Sequence, residues 1–336
     1  MKRTLLLIAV LALLAAACGD DGGGTTAAPS GDTTAAPSGD TTAAPAGDKP
    51  TITLIVNPWS ASRLNVEVAK NIIESELGYP VEITEVNEND AMFTGMADGT
   101  LDAVLEIWPS GVTDAETAYF DDGSVVDMGE LGAIGKIGWF VPSFVIDEHP
   151  DLATWEGYAD PANAALFATA ETGDQGRFLG TDPSYSQYDE QIIENLGLPF
   201  EVQFSGSEPA TVAELDARFA ANEPIVMYWW TPTAAVAKYD LVNVALPEYT
   251  EECGASAAAG DGGVDCDYPE DALFKAASAM LEEKAPDVFA FLQAFTITTD
   301  DQLEMLPSFE IDGDDPAAVA AEWVANHEDV WSAWLQ

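Results

Sequence analysis

Residues 51–108 alternate between short apolar runs and amphipathic segments. The run at 51–56 is rich in β-branched residues and predicts a strand, which ends before Pro58. Residues 62–77 place most of their apolar side chains on one helical face, and Gly78 follows where a helix commonly ends. The full pattern predicts, in order, a strand at 51–56, a helix at 62–77, a strand at 81–86, a helix at 91–98 and a strand at 101–108. This order predicts βαβ units and a parallel sheet, whose ligands bind at the carboxyl ends of the strands.

A second series of apolar segments begins at residues 137–146 and includes runs at 225–230 and 241–246. Helical patterns separate these segments, so we expect a second α/β lobe. Together with the length of the chain, this predicts two lobes. Lobe 1 would comprise residues 49–138 plus 243–336, and lobe 2 would comprise residues 139–242.

The N-terminal part of the chain has a different pattern. Two basic residues precede an apolar run that is too short to span a bilayer as a mature helix, which predicts an export signal at residues 1–17. The run ends in Leu-Ala-Ala-Ala before Cys18 and resembles a bacterial lipobox, so Cys18 is expected to be lipidated; a plain secretory signal is the alternative. Residues 25–48 hold three copies of an eight-residue Thr/Ala/Pro/Gly/Asp unit without large apolar side chains. They predict a tether over residues 18–48.

Charge and composition exclude several classes of protein. The 336 residues include 11 Lys and Arg against 59 Asp and Glu, which gives a net charge of -48. Such a chain lacks the clustered basic residues that a nucleic-acid surface needs. It contains no nucleophile elbow, P-loop or zinc motif, so we expect neither an enzyme nor a bound metal or cofactor. In an exported chain, Cys253 and Cys266 are expected to form a disulfide.

Four tryptophans lie at or near the ends of predicted strands in the two halves of the chain: Trp59, Trp108, Trp139 and Trp230. A single tryptophan is more often part of a core than of a ligand site. Four at strand ends that face one crevice would form a cage around a quaternary ammonium group, which is recognised mainly by cation–π attraction and shape. A sugar-binding lipoprotein that stacks its ligand on tryptophan is an alternative, although these strand ends offer few of the amide and acid groups that a sugar needs.

The segments around these tryptophans resemble the glycine betaine/choline-type substrate-binding proteins of ABC importers. Residues 228–232, Tyr-Trp-Trp-Thr-Pro, with Lys-Tyr-Asp-Leu at 238–241, are similar to the family's Gly-Trp-Thr-Pro-His-Trp block and the Lys-Tyr-Asp-Leu after it. Three other segments are also similar to the family. Residues 57–60 resemble its aromatic loop after the first strand, residues 106–109 resemble its Trp-x-Pro segment, and residues 138–142 resemble its aromatic-Val-Pro segment. The likeness spans about residues 51–250.

The resemblance implies a two-lobed α/β fold of the type II periplasmic-binding-protein class, a flytrap in which each lobe is a mainly parallel sheet flanked by helices. The ligand-binding residues that it implies are Trp59, Trp108, Trp139, Trp230, Tyr185, Ser62, Arg63 and Thr233. In betaine binders, backbone N–H groups at the start of the first helix hold the ligand carboxylate. The residues at the corresponding position in this chain are 60–63. Thr233 stands where the family has histidine, which leaves glycine betaine, proline betaine, choline, carnitine and a sulfonium analogue open.

The resemblance also implies a place in the cell and a partner. We expect a monomer that is anchored by lipid to the outer face of the bacterial cytoplasmic membrane. It would deliver a small quaternary ammonium ligand to an ABC permease. A sugar- or amino-acid-binding lipoprotein of the same fold is the alternative, and an enzyme is less favoured.

Overall fold

A computed structural model describes residues 49–336. The predicted signal, the lipidation of Cys18 and the tether lie outside the described residues. Within this range the strands are β1 Ile52–Val56, β2 Val81–Glu85, β3 Ala103–Ile107, β4 Val125–Pro142, β5 Gly176–Gly180, β6 Phe200–Phe204, β7 Met227–Thr231, β8 Leu241–Val244 and β9 Glu270–Ser278. The α-helices are α1 Ser60–Ile72, α2 Asp90–Ala97, α3 Asp114–Asp121, α4 Ser143–Glu148, α5 Trp155–Tyr158, α6 Pro161–Ala164, α7 Asp189–Asn195, α8 Glu208–Ala221, α9 Ala234–Lys238, α10 Glu251–Ala259, α11 Leu281–Lys284, α12 Pro286–Ala294, α13 Thr299–Glu310, α14 Pro316–Asn326 and α15 Glu328–Trp331.

The strands form a mixed sheet with the order β2-β1-β3-β9-β4-β7-β5-β6, and β8 also pairs with β4. Strand β1 is parallel to β2 and β3 at one side, and β5 is parallel to β6 and β7 at the other. The strands between these two groups pair in antiparallel fashion. The outer strands of each group are therefore parallel, and the centre of the sheet is antiparallel.

The 18-residue strand β4 joins the two halves of this two-lobed α/β fold. Its residues 125–136 pair with β9, whereas residues 136–142 pair with β7 and β8. Strand β8 thus lies with the second group of strands. An isolated β-bridge between Thr154 and Ala245 keeps the residue after β8 paired with the second group. The chain therefore leaves the second group after residue 245.

Helix α1 illustrates how local sequence produces an element of the first lobe. Its apolar residues face inward, and Leu64, Val68 and Ile72 are fully buried. The helix continues as one turn of π-helix through Leu77 and ends at Gly78, whose φ of +68° is a left-handed conformation that glycine adopts without strain. The predicted helix at 62–77 is confirmed, with its start two residues earlier.

Several segments differ from the sequence prediction. Strand β4 begins at residue 125, well before the predicted start at 137, and residues 143–146 belong to a helix and not to the strand. The segment 251–259 was not predicted as a helix. It forms α10 because the Thr250 hydroxyl accepts from the backbone N–H of Cys253 and the sequence is rich in alanine. Strand β9 was not predicted at all.

A disulfide joins α10 to the segment that precedes β9. The Cys253 and Cys266 sulfurs are 2.08 Å apart, and the two Cα atoms are 6.3 Å apart. Both cysteines are buried. The bond closes a short loop, which restricts the unfolded chain.

Across residues 49–336, the helices are all too short or too polar to cross a membrane.

Candidate ligand-binding site

A cavity of about 410 Å³, counted to its opening, lies at the carboxyl ends of strands from both groups. Its lining residues are Trp59, Glu88, Trp108, Ile137, Ser184, Tyr185, Ser186, Tyr228 and Trp230. Five of these nine side chains are aromatic.

One buried carboxylate orients two of the aromatic walls. Glu106, in β3, is fully buried, and its Oε1 accepts hydrogen bonds from the indole N–H groups of Trp59 at 2.7 Å and Trp108 at 3.1 Å. Its Oε2 accepts from the side-chain amides of Asn65 at 2.6 Å and Gln302 at 3.3 Å. Because each indole has a single N–H donor, this shared acceptor fixes the direction of both rings.

The position of Trp108 depends on a glycine in the neighbouring strand β4. A Cβ atom on Gly135 would lie 2.3 Å from the six-membered ring of Trp108, so only glycine leaves room for the indole there. The Trp108 backbone N–H donates to Glu88 at 3.2 Å. The next turn is held by Asp271, which accepts from the backbone N–H and the hydroxyl of Ser110 at 2.9 and 2.6 Å.

The second group of strands contributes the opposite wall. Trp230 lies in β7, and Tyr185 lies in the loop after β5. The Tyr185 ring meets Trp59 edge-on at 5.5 Å between centroids and Trp230 edge-on at 5.8 Å. Its hydroxyl donates to the backbone carbonyl of Pro58 at 2.6 Å, which links the two walls. Tyr228 completes this side, 6.0 Å from Trp230.

The cavity is lined by an acidic residue and by no basic one. Glu88 is that acidic residue, and burial raises the pKa of its carboxyl well above the usual value. Burial also raises the pKa of Glu106 to about 7, against the opposing effect of the indole hydrogen bonds. Among the residues that line the cavity there is no Lys, Arg or His, so an anionic group of a ligand would find no cationic partner. Elsewhere in residues 49–336, no group of three or more metal-ligating side chains is placed to hold a metal ion.

Four of the predicted site residues come together in this cavity: Trp59, Trp108, Tyr185 and Trp230. Trp139 does not line it. Trp139 is fully buried further along β4, where its indole N–H donates to Asp189 at 2.6 Å and its ring lies 4.7 Å from Phe178. Trp139 is therefore a core residue of the second group of strands.

The three polar residues predicted to contact the ligand, Ser62, Arg63 and Thr233, also lie outside the lining. Each of them has a partner within the protein. The Ser62 hydroxyl accepts from the backbone N–H of Asn57 at 3.0 Å. Arg63 pairs with Glu85 at 3.1 Å. Thr233 accepts from the Trp229 indole at 2.8 Å.

The start of α1, expected to bind a ligand carboxylate, is occupied as well. The Ser60 backbone N–H donates to Glu208 at 3.0 Å, and the Ser60 hydroxyl donates to the same carboxylate at 2.8 Å. A carboxylate of the protein therefore stands where the ligand carboxylate was predicted.

The sequence reasoning missed Glu88, Ser184, Ser186 and Tyr228. Glu88 follows the carboxyl end of β2, and the two serines flank Tyr185 after the end of β5. The strand-end rule that located the tryptophans applies equally to these polar residues. Glu88 and the two serines were missed because the strand-end rule was applied to aromatic side chains, and Tyr228 was missed because it lies inside β7, two residues before Trp230.

The two-lobed fold and an aromatic cavity between its groups of strands define a small-molecule-binding protein. A family model described as the substrate-binding domain of an ABC-type glycine betaine transport system, OpuAC, matches residues 50–326. The chain belongs to this family. It is a substrate-binding protein of a glycine betaine/choline-type ABC transporter and not an enzyme.

Individual relatives agree with this assignment. The chain is 26% identical over 293 residues to the trimethylamine N-oxide-binding protein of Pelagibacter ubique (strain HTCC1062), which covers 86% of this chain and 91% of the relative. The structure is similar to lactococcal OpuAC in its closed, glycine betaine-bound conformation, with a TM-score of 0.67, 20% identity and coverage of 86% of this chain and 100% of that one. It is also similar to an ABC-transporter choline-binding protein in complex with choline, with a TM-score of 0.65, 19% identity and coverage of 84% and 91%. These structural similarities establish the type II two-lobed fold.

Proposed function

We propose that this protein captures a small solute with a methylated, positively polarised nitrogen in its aromatic cavity and delivers it to an ABC permease. The observation that carries the proposal is the arrangement of Trp59, Trp108 and Trp230 around one cavity, with the first two indoles oriented by Glu106. A trimethylated nitrogen donates no hydrogen bond through its methyl groups, so its recognition depends on aromatic faces and shape.

The energetics fit this chemistry. Each desolvated tryptophan face contributes up to ~2 kcal/mol to binding of a cation. Three such faces supply a large part of the ~8 kcal/mol that a micromolar dissociation constant requires. In their ionised forms, Glu88 and the buried Glu106 behind the rings add attraction for positive charge.

The same features favour a ligand without a carboxylate. No basic side chain lines the cavity, and Glu208 occupies the start of α1 that would hold a carboxylate. We therefore favour choline-like cations and trimethylamine N-oxide over glycine betaine, and the name of the Pelagibacter ubique relative supports the N-oxide. The raised pKa of Glu88 allows a protonated carboxyl that donates to an N-oxide or hydroxyl oxygen.

The ligand would be enclosed by closure of two lobes. We propose lobe 1 as residues 49–138 plus about 246–336 and lobe 2 as the intervening residues, because β8 and Ala245 pair with the second group. The open form exposes the aromatic walls to water, so a ligand that contacts both walls favours the closed form.

Substrate-binding proteins of ABC importers are extracytoplasmic. We further propose that Cys18 carries a lipid anchor, that residues 18–48 tether the folded body to the outer face of the cytoplasmic membrane, and that the protein acts as a monomer. The support for the anchor and the tether is the sequence pattern of the first 48 residues.

The proposal is tested by titrating the purified protein with choline, trimethylamine N-oxide and glycine betaine while intrinsic tryptophan fluorescence is recorded. Glucose and glycine serve as control ligands. We expect a saturable change at micromolar concentrations for choline or the N-oxide and weaker binding of glycine betaine. A response to glucose or glycine, with none to the three methylated amines, would overturn the proposed ligand class and leave only the fold.

A further inference from the structure

Glu208 and Glu310 bridge the proposed lobes from opposite directions, each at the start of a helix. Glu208, the first residue of α8 in lobe 2, accepts from the backbone N–H and the hydroxyl of Ser60, the first residue of α1 in lobe 1. Glu310, the last residue of α13 in lobe 1, accepts at 2.7 Å from the backbone N–H of Ala234, the first residue of α9 in lobe 2. Each lobe therefore caps a helix of the other.

These contacts satisfy groups that the helices cannot satisfy alone. The first N–H groups of a helix have no partner within it, and neither α1 nor α9 has a side-chain cap from its own N-cap residue. A carboxylate is favoured there by the helix dipole and by charge-assisted hydrogen bonding. Separation of the lobes breaks these bonds and returns both carboxylates to water.

We propose that Glu208 and Glu310 form a reciprocal latch that holds the two lobes closed and that favours closing as the pH falls. The latch acts on the closed conformation itself, apart from any ligand contact. Neutral bonds also cross the cleft, from Tyr185 to the carbonyl of Pro58, from Tyr188 to the carbonyl of Ser110 and from Asn195 to the carbonyl of Val264. A third buried carboxylate, Asp189 of lobe 2, accepts from the Tyr268 hydroxyl of lobe 1 at 3.1 Å, and burial raises its pKa to about 7. Asp189 also accepts from Trp139 of its own lobe and caps no helix of the other lobe, so it is not part of the latch.

The surroundings of the latch penalise negative charge. Glu208 is 5% exposed, and Oε1 of Glu310 is buried without a hydrogen-bond partner. Glu106 and Tyr185 lie near enough to sense the charge of Glu208, and neither is cationic. No ion pair reaches either latch carboxylate within residues 49–336.

Arg63 is the basic residue in the groove beside Glu208, and it is paired with Glu85 in that same groove. Burial raises the pKa of Glu208 to about 7 against the opposing effect of Ser60. Burial, and then the charge of Glu208, raises the pKa of Glu310 to about 8.

The sign of the pH effect follows from these values. In separated lobes the two carboxyls face water and have ordinary pKa values of about 4.3. Closing then takes up protons between about pH 5 and pH 8, so the closed form gains as the pH falls and loses as the pH rises through 7 and 8. Each carboxyl that takes up its proton changes the ratio of closed to open protein by up to about tenfold per pH unit.

The test compares the ligand-free protein with the double variant Glu208→Gln, Glu310→Gln by small-angle X-ray scattering at pH 6 and pH 9. Glutamine keeps an acceptor oxygen but carries no charge. We expect the wild type to open at pH 9, and we expect the difference between the two pH values to be much smaller in the double variant, which keeps only Asp189 as a bridging carboxylate. Glu304→Gln is the matched control, because Glu304 lies on α13 in an exposed position, and this variant should behave as the wild type.

Hydrogen exchange of the wild type provides a second readout that needs no variant. The backbone amides of Ser60 and Ala234 should be better protected at pH 6 than at pH 8 after correction for intrinsic exchange rates. A double variant that opens with pH as the wild type does, or equal protection of these amides at both pH values, would overturn the latch. Because no ligand is present, the outcome is independent of the fluorescence titration.

Discussion

The carboxylate of Glu106 contributes both to the stability of the fold and to the geometry of the cavity. The substitution Glu106→Leu removes the acceptor of four buried donors, on Trp59, Trp108, Asn65 and Gln302. A buried donor left unpaired costs about 1–3 kcal/mol, and the four costs are not additive because the amides can find other partners. We expect a total loss of about 3–5 kcal/mol in the free energy of unfolding.

Two assays separate stability from binding. With roughly 2–4 °C of melting temperature per kcal/mol, thermal unfolding should shift down by roughly 6–20 °C. The affinity for choline or trimethylamine N-oxide should fall at least about tenfold, or ~1.4 kcal/mol, because two rings lose their fixed orientation. Glu106→Gln should bind within a few-fold of the wild type, because its amide oxygen still accepts from the indoles and the unpartnered Oε1 of Gln302 can accept from its N–H2 group.

Asp102→Leu provides the control for general destabilisation. Asp102 is buried just before β3, at the opposite end of the strand from the cavity, and it pairs with Lys284 at 2.6 Å. This variant should lose stability without losing affinity. If Glu106→Leu remained folded and bound the ligand as tightly as Asp102→Leu does, the idea that Glu106 positions the indoles would be refuted.

Three further predictions concern single side chains. Trp230→Ala should weaken ligand binding at least about tenfold in the fluorescence titration, because Trp230 lines the cavity. Trp139→Phe should lower the melting temperature but change the affinity less than about threefold, because Trp139 lies outside the cavity. Gly135→Ala should weaken binding because its Cβ would displace the Trp108 ring, and affinity equal to wild type would show that the ring can shift without loss. Cys266→Ser should lower the free energy of unfolding by about 3 kcal/mol in chemical denaturation and leave the affinity intact; a large loss of affinity would tie the disulfide to the site.

The positions of three cavity tryptophans could be predicted because they follow a rule of topology. Trp59 and Trp108 follow the carboxyl ends of β1 and β3, and Trp230 lies near the carboxyl end of β7. Strand β7 runs opposite to β1 and β3, so the carboxyl ends of the two groups face each other across the cavity. Trp139 shows the limit of the rule. Strand alternation indicates which face of the sheet a side chain occupies. The residues that contact the buried Trp139 ring include Asp189 and Phe178, and no local sequence pattern links them to Trp139.

Other features could not be predicted because they depend on contacts between distant segments. Strand β9 is rich in alanine and contains no β-branched residue, and it is a strand because it pairs on both sides, with β3 and β4. The cap on Ser60 comes from Glu208, 148 positions away in sequence. The start of α1, where a ligand contact was expected, is therefore occupied by a carboxylate from the other proposed lobe, which the local sequence does not reveal.

The most direct measurement of the central claim compares choline with its neutral isostere 3,3-dimethylbutan-1-ol in isothermal titration of the purified protein. The two molecules have nearly the same shape, and only choline carries the positive charge that the aromatic faces attract. The account predicts that the alcohol binds at least about tenfold more weakly than choline. Equal affinities would contradict it, because the cavity would then select apolar shape and not a positively charged methylated nitrogen.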